Sequence, residues 1–340
     1  MYKRRNAVIA SAGLFVLTLA IMLFSTGVGE SNISTDTVLA ILLSPITGQT
    51  PFWSVGDQTI IMDIRLPRIL LGALVGISLA LSGAALQSLF KNPMADPFIL
   101  GISNGAALGA TIVFVYGSTW IFSFYSLPAM AFIFGLATIF LVYYVARVGN
   151  TVPVNTLLLS GIAISALFSA VNSFIMFTGG QNLQQIMFWT MGGLSGRGWD
   201  YVWIMLPFSI AGIIIMLYLS RQLNAMMFGE ESAQYLGIEV EKLKKILLVT
   251  TALITSAAVS VSGIIGFVGL IIPHIVRLLT GPDHRILIPV SVFAGAIFIV
   301  VADMLARIII APAELPLGVI TALCGAPFFL YLLRSKRGEL

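Results

Sequence analysis

Charge is what this 340-residue sequence has least of: Asp, Glu, Lys and Arg make up 9% of it. A soluble domain carries about 25%, so too few polar groups are present to cover a water-soluble particle of this length. Cysteine is nearly absent as well. The single Cys324 excludes a disulfide framework and a cysteine metal cluster. With only two histidines, His274 and His284, the chain has no His-Glu-x-x-His zinc site; it also lacks a Gly-x-Ser-x-Gly elbow and a paired-aspartate helix motif. No catalytic residue and no metal ligand is therefore assigned. A Gly-x-x-x-x-Gly-Lys-Ser/Thr phosphate loop is missing too, so the chain carries no nucleotide-hydrolysing site. The net charge of +4 is not an argument for nucleic acid; in an apolar chain the side on which the charges sit matters more.

What is present is hydrophobic sequence, 58% of the residues. Apolar runs recur from end to end, each long enough to cross about 30 Å of hydrocarbon. In lipid every backbone group must be paired internally, so the runs read as helices. The ten-residue alternation of a membrane barrel is absent. The expected fold is all-α, a polytopic membrane protein with about ten transmembrane helices in one domain, 1–340. The spans expected are 7–28, 64–89, 98–116, 127–146, 155–177, 201–220, 245–262, 266–280, 286–309 and 316–334. The first follows Lys3-Arg4-Arg5 and is too long for a signal core, so it is expected to be retained. The eighth is short and begins Gly/Pro-rich, the pattern of a re-entrant segment.

Basic residues test this topology. With ten crossings and both termini in the cytoplasm, fourteen of the 18 Lys and Arg fall inside, leaving Arg65, Arg68, Arg197 and Arg307 outside. The external segment 29–63 is expected to hold an interfacial helix begun by Ser34, with Val38, Leu39, Leu42 and Leu43 as its apolar face. The pairs Gly72/Gly76, Gly101/Gly105 and Gly105/Gly109 let helices approach closely, within the subunit or against a second copy.

A carrier driven by protons or sodium needs titratable or ion-coordinating groups at mid-membrane. The middles of the first seven helices have no charged residue or histidine, and in the ninth Asp303 stands four residues before Arg307, the spacing of an ion pair. An ion-coupled secondary transporter remains the competing class. In the internal polar segment 221–245, Glu230-Glu231-Ser232-Ala233-Gln234-Tyr235-Leu236-Gly237 has the form of a short helix, acidic at its start with Gly237 at C′ and Ala233 and Leu236 as its apolar face. It reads equally as a solvated loop helix or as a docking element for a partner that supplies energy.

Several strings are specific. Arg65-Leu66-Pro67-Arg68 heads a helix ending Ser82-Gly83-Ala84-Ala85-Leu86-Gln87. Asn92-Pro93-Met94-Ala95-Asp96-Pro97 and Leu100-Gly101-Ile102-Ser103-Asn104-Gly105-Ala106 follow. Later come Gly263-Ile264-Ile265-Gly266-Phe267-Val268-Gly269-Leu270, Pro273-His274-Ile275-Val276-Arg277 and Gly281-Pro282-Asp283-His284-Arg285. Ala302-Asp303-Met304-Leu305-Ala306-Arg307, Pro312-Ala313-Glu314-Leu315-Pro316-Leu317-Gly318 and Gly325-Ala326-Pro327-Phe328 complete the set. Together, over nearly the whole chain and in order, these resemble the FecCD family, the permease subunits of ABC importers for ferric siderophores, haem and cobalamin.

The resemblance implies a type II ABC importer permease: ten helices per subunit, a homodimer with a path along its two-fold axis, and a place in the cytoplasmic membrane. It implies two cytoplasmic ATPase subunits, which hold the ATP and Mg, so that this chain binds no cofactor, and an external solute-binding protein. Residues 230–237 match the family's coupling helix. Arg65, Arg68 and Arg307 match the external arginines that receive glutamates of the binding protein. The turn Asn92-Pro93-Met94, with Met where the family often has Leu, and Val154-Asn155 match the gate. Ser165, Ser169, Asn172 and Met176 are candidates to line the pathway. A ferric siderophore is the expected cargo because iron-chelate systems are numerous; cobalamin and haem are the alternatives.

Overall fold

A computed structural model describes residues 2–29, 31, 33–48, 51–117, 125–179 and 182–335. Lys336 and Arg337, two of the basic residues assigned to the inside, lie outside the described residues, as do the side chains of Lys3, Arg4 and Arg5. The described residues form helices and one isolated bridge, Val148–Thr151, with no strand among them. The helices are α1 (Tyr2–Gly27), α2 (Thr35–Thr47), α3 (Val55–Thr59), α4 (Leu66–Leu89), α5 (Ile102–Tyr116), α6 (Ser126–Ala146) and α7 (Val154–Thr178). They continue with α8 (Leu183–Thr190), α9 (Trp199–Met226), α10 (Glu230–Tyr235), α11 (Val240–Ser262), α12 (Val268–Thr280), α13 (His284–Ile308) and α14 (Leu317–Ser335).

All ten expected spans are helical. Among the described residues, six helices are long and apolar enough to cross a bilayer: the continuous run Val55–Leu89, then α6, α7, α9, α11 and α13. The second span begins earlier than expected, because α3 and a π-helical stretch, Ile60–Arg65, run straight into α4. At about 1.5 Å per residue, the 13 residues of α12 reach only about 20 Å, short of a crossing on their own.

Within the described residues, α4 is the central helix. It is buried along nearly its whole length and packs on α13, α9, α11, α12 and α1. Without a hydrophobic force between helices in lipid, close packing needs small residues. Gly76 meets Gly295 of α13, and Gly83 meets Gly269 of α12, backbone against backbone. Gly105 and Gly109 lie against Thr138, Phe134 and Met130 of α6. These glycine motifs are thus used inside the subunit. Hydroxyl pairs add cross-links: Thr255 Oγ1 donates to Ser82 Oγ at 2.8 Å, and Ser78 and Ser209 lie 3.0 Å apart.

Helix α2 begins at Ser34 as expected, and Ser34 Oγ accepts from the Thr37 N–H. Its buried face differs from the expected one. Val38 and Ile41 are buried, whereas Leu39 and Leu43 are exposed. The pattern of leucines could not show which side α1 and the π-helical stretch would cover.

Helix α7 is the opposite of α4. Only Leu157, Ser160, Gly161 and Ile164 are buried, while Leu159, Ile162, Leu167, Phe174 and Phe177 stand exposed.

Candidate functional site: the two ends of the bundle

At the end where α4 begins, the three arginines expected on the external side, Arg65, Arg68 and Arg307, are each buried, 7% exposed. Arg65 donates to two carbonyls at the end of α1, Thr26 O at 2.9 Å and Gly27 O at 3.0 Å, and to Ser31 O just beyond it at 2.6 Å. A helix end leaves carbonyls unpaired and partly negative, so Arg65 acts as a side-chain cap for α1. Arg307 serves the same end through Val28 O and Ser25, and pairs with Asp303 at 3.1 Å. Arg68 grips Asp303 with Nε and Nη2, both at 2.9 Å, and reaches Glu314 with Nη1 at 2.8 Å. The expected Asp303–Arg307 pair is present; it is one edge of a buried Glu314–Arg68–Asp303–Arg307 chain. Arg65, Arg68 and Arg307, expected on the external side, thus lie together at one end of the bundle, and burial is compensated by the α1 carbonyls, Asp303 and Glu314.

Beside this chain opens a cavity of about 680 Å³, lined by Arg68, Asp303 and Glu314 on one side and by Phe188, Trp189 and Arg197 on another. Burial opposes ionisation of Glu314, yet the Arg68 guanidinium holds its carboxyl below the ordinary value. Arg197 lies over the Tyr201 ring, 4.5 Å from its centre, and donates to its hydroxyl.

The other end carries Lys91, Arg147, Lys242, Lys244 and Lys245 and is the one expected to face the cytoplasm. Here α10 is framed by Gly229 and Gly237, both at positive φ. Gly237 N–H donates to Gln234 O and Ile238 N–H to Ala233 O. That is the Schellman closure, for which Gly at C′ carries no Cβ penalty. Ala233 is fully buried in the core, but Leu236 does not share its face: Leu236 is 69% and Tyr235 92% exposed. Leu236 is the C-cap of this one-turn helix, and there the chain has already turned outward. Phe228, 79% exposed, and Met227 extend the apolar projection. Glu231 and Gln234 are exposed and Ser232 precedes the buried Ala233.

A buried lysine holds α10 in place. Lys244 Nζ lies 2.7 Å from Glu230 and 3.0 Å from Glu241. Glu241 in turn accepts the N–H of Val152, two residues before α7.

The candidate gate segments share this basic end on separate elements. The Asn92 side chain accepts the Met94 N–H at 2.9 Å, a local Asx turn around Pro93. Val154 opens α7 with Pro153 as N-cap, and Asn155 is exposed. No hydrogen bond joins the two segments among the described residues. Of the four candidate lining residues, Ser169 is exposed, and Asn172 and Met176 are half-buried and contact one another at 3.6 Å. Ser165 turns towards α5, where its carbonyl accepts from Asn104 and its hydroxyl sits against Gly101.

The model of the FecCD transport family matches residues 17–335. The chain belongs to the FecCD transport family. It is 42% identical to the cobalamin import system permease protein BtuC of Halobacterium salinarum, with 97% of each chain covered. It is 42% identical to the hemin transport system permease protein HmuU of Yersinia pestis, over 82% of this chain and 84% of that one. Against the iron(3+)-hydroxamate import system permease protein FhuG of Bacillus subtilis identity is 36%, over 97% of this chain and 98% of that one. A solved inward-facing structure of a metal-chelate type ABC transporter superposes with a TM-score of 0.84 at 32% identity, covering 96% of this chain and 99% of that one.

This FecCD member is therefore a multi-pass membrane permease of an ABC importer, a transport subunit with type II importer architecture. Sequence reasoning about it missed Glu314, Lys244, Glu241 and Val152. Glu314 stood within a quoted family string, but its pairing with Arg68 spans 246 residues of chain. Lys244 was legible only as one of a run of basic residues; its i,i+3 relation to Glu241 was the signal available.

Proposed function

We propose that two copies of this chain form a path for a bulky metal chelate, handed over by an external solute-binding protein and drawn in by two cytoplasmic ATPase subunits that hold ATP and Mg. The observation that carries this is α7. Its 25 residues contain no charge, and most of its surface has no partner among the described residues. Serines and Asn172 alternate there with large apolar side chains. Such a face suits the wall of a path between two copies, since it would hold an amphipathic chelate weakly and let it go. Exposed Tyr235, Leu236 and Phe228 on and beside α10 suit insertion into an ATPase cleft, with α9 and α11 as the levers that flank it.

Ferric siderophore, expected from numbers alone, now competes with cobalamin, which is favoured by 42% identity to a cobalamin permease over 97% of both chains. Haem is the third cargo. Docking of the binding protein at the rim of Arg65, Arg68 and Arg307 belongs to the same proposal. A docking glutamate would have to compete with Asp303 and the α1 carbonyls, with the 680 Å³ cavity beside them as the approach. The secondary-transporter reading loses ground because Asp303 is clamped between two arginines. The cytoplasmic membrane, with both termini inside, is the proposed location.

The test is uptake by proteoliposomes holding the permease, its ATPase and its binding protein, offered labelled cyanocobalamin, haem and a ferric hydroxamate in turn. Accumulation of one of them only with internal ATP is expected. Uptake that persists without ATP and collapses with an ionophore would overturn the proposal.

A further inference from the structure

A second cavity, of about 300 Å³, lies between α6 and α11 at the basic end of the bundle. From α6 and its C-cap it is lined by Ile139, Phe140, Tyr143 and Arg147, from α11 by Lys245, Leu248 and Val249. Spacings of three and four residues put each set on one helix face. Both cations sit at one end of the groove and only apolar side chains at the other. Eight residues from Ile139 to Arg147 make about 12 Å of helix. The groove is thus graded from basic to apolar along its length, with a tyrosine at the transition.

The charges are uncompensated. Lys244 is taken by Glu230 and Glu241, and Lys242 by Glu239, but neither Lys245 nor Arg147 forms an ion pair among the described residues. Among the described residues no acidic side chain lines the groove. Arg147 donates only to neutral acceptors, Gly149 O and Asn150 Oδ1. Beside the groove, α6 exposes Leu141, Tyr144 and Val145, an apolar face of the kind that lipid covers.

We infer that the α6–α11 groove is a binding site for one anionic phospholipid, its phosphate and second negative group between Arg147 and Lys245 and the start of an acyl chain against Ile139, Phe140, Leu248 and Val249. A basic pocket between membrane helices recognises an anionic headgroup by charge, while a zwitterionic lipid would bring its own cation against the two already there. The inference rests on the groove and its charges and does not depend on the transported cargo.

The test is native mass spectrometry of the full-length permease released from detergent after equilibration with phosphatidylglycerol or phosphatidylcholine of the same chain length. Wild type should retain phosphatidylglycerol at least ten-fold more often than phosphatidylcholine. R147Q/K245Q, changes confined to exposed side chains, should bring retention down to the phosphatidylcholine level. V249W should do the same with both charges intact. Melting temperatures should stay at the wild-type value. Equal retention of the two lipids would overturn the inference, and so would full retention by either variant. Displacement of the signal by inorganic phosphate would reduce the site to an anion site. Loss of the dimer in place of lipid loss would make the groove an interface between copies. Either outcome overturns the lipid assignment.

Discussion

Lys244 Nζ lies 2.7 Å from Glu230 and is buried, although its partner belongs to a short helix at the protein surface. The same ammonium touches Glu241, whose other oxygen holds the Val152 N–H ahead of α7. One cation thus ties together the proposed ATPase-docking helix, the base of α11 and the strap leading into the proposed gate. Replacing it with an apolar side chain leaves two carboxylates without their shared partner. Breaking a buried pair costs about 3–5 kcal/mol, but Glu230 and Glu241 are a third exposed, so about 1–2 kcal/mol is expected here. K244M should therefore fold. Its ATPase partner should keep hydrolysing, while the cargo moved per ATP falls at least about ten-fold; K244R should recover most of it. An unchanged transport-to-hydrolysis ratio in K244M would show that motion reaches α7 by another route.

Arg65 offers a choice between two roles. As a docking group, its loss would abolish stimulation by the binding protein and leave stability alone. As a cap on α1, its loss would strip three carbonyls of their donor. Hydrogen bonds to a charged group contribute about 1.5–3 kcal/mol each, and water would recover part of this, so R65M should destabilise the permease by about 2–4 kcal/mol. The expected result is a melting temperature several degrees lower even with no binding protein present. R65E should be worse, because it puts a carboxylate against the negative end of a helix. A wild-type melting curve for R65M together with lost stimulation would make docking its main role.

How far the sequence carried the reading depended on the range of each interaction. Asp303–Arg307 was legible because four residues separate the partners on one helix. Arg68 completes that cluster from 235 residues away, and no spacing reveals such a link. Gly237 was legible as a helix stop because the Schellman closure is local. The direction of Leu236 was not, since it depends on where the one-turn helix meets the core. Helix α8, Leu183–Thr190, was missed altogether. Eight residues with Gln184 and Gln185 inside carry neither the length of a span nor a clear helical period. The burial of Arg65 and Arg307 followed from backbone carbonyls, which every sequence has and none displays.

The α4–α12 contact is a strict test of the packing. A Cβ on Gly83 would lie within bonding range of the Gly269 carbonyl, and backbone on both sides leaves nothing to rotate away. Overpacking typically costs about 1–3 kcal/mol where side chains can shift, and G83A should exceed that range. Loss of the monodisperse peak in size-exclusion chromatography is the expected readout. G193A is the control, since a Cβ there meets nothing within 4 Å, and it should elute as wild type. If G83A and G193A behave alike, α4 and α12 are farther apart than described.

Asp96 gives the pH dependence. It caps the turn into α5 by accepting the Phe98 N–H at 2.8 Å. Burial raises its pKa to about 6, with that hydrogen bond opposing the shift. An acid whose folded pKa is raised keeps its proton longer in the folded state. Folding is then penalised as pH climbs from the unfolded value near 4 to the folded value near 6, and the full penalty persists above that. At about 1.4 kcal/mol per pH unit, the penalty is about 2–3 kcal/mol at neutral pH. Asparagine keeps the oxygen that accepts from Phe98 and never ionises. D96N should accordingly melt only slightly above wild type at pH 4.5 and several degrees above it at pH 7.5. Parallel melting curves for the two proteins from pH 4.5 to 7.5 would mean that water reaches Asp96 and its carboxylate is not confined by the turn.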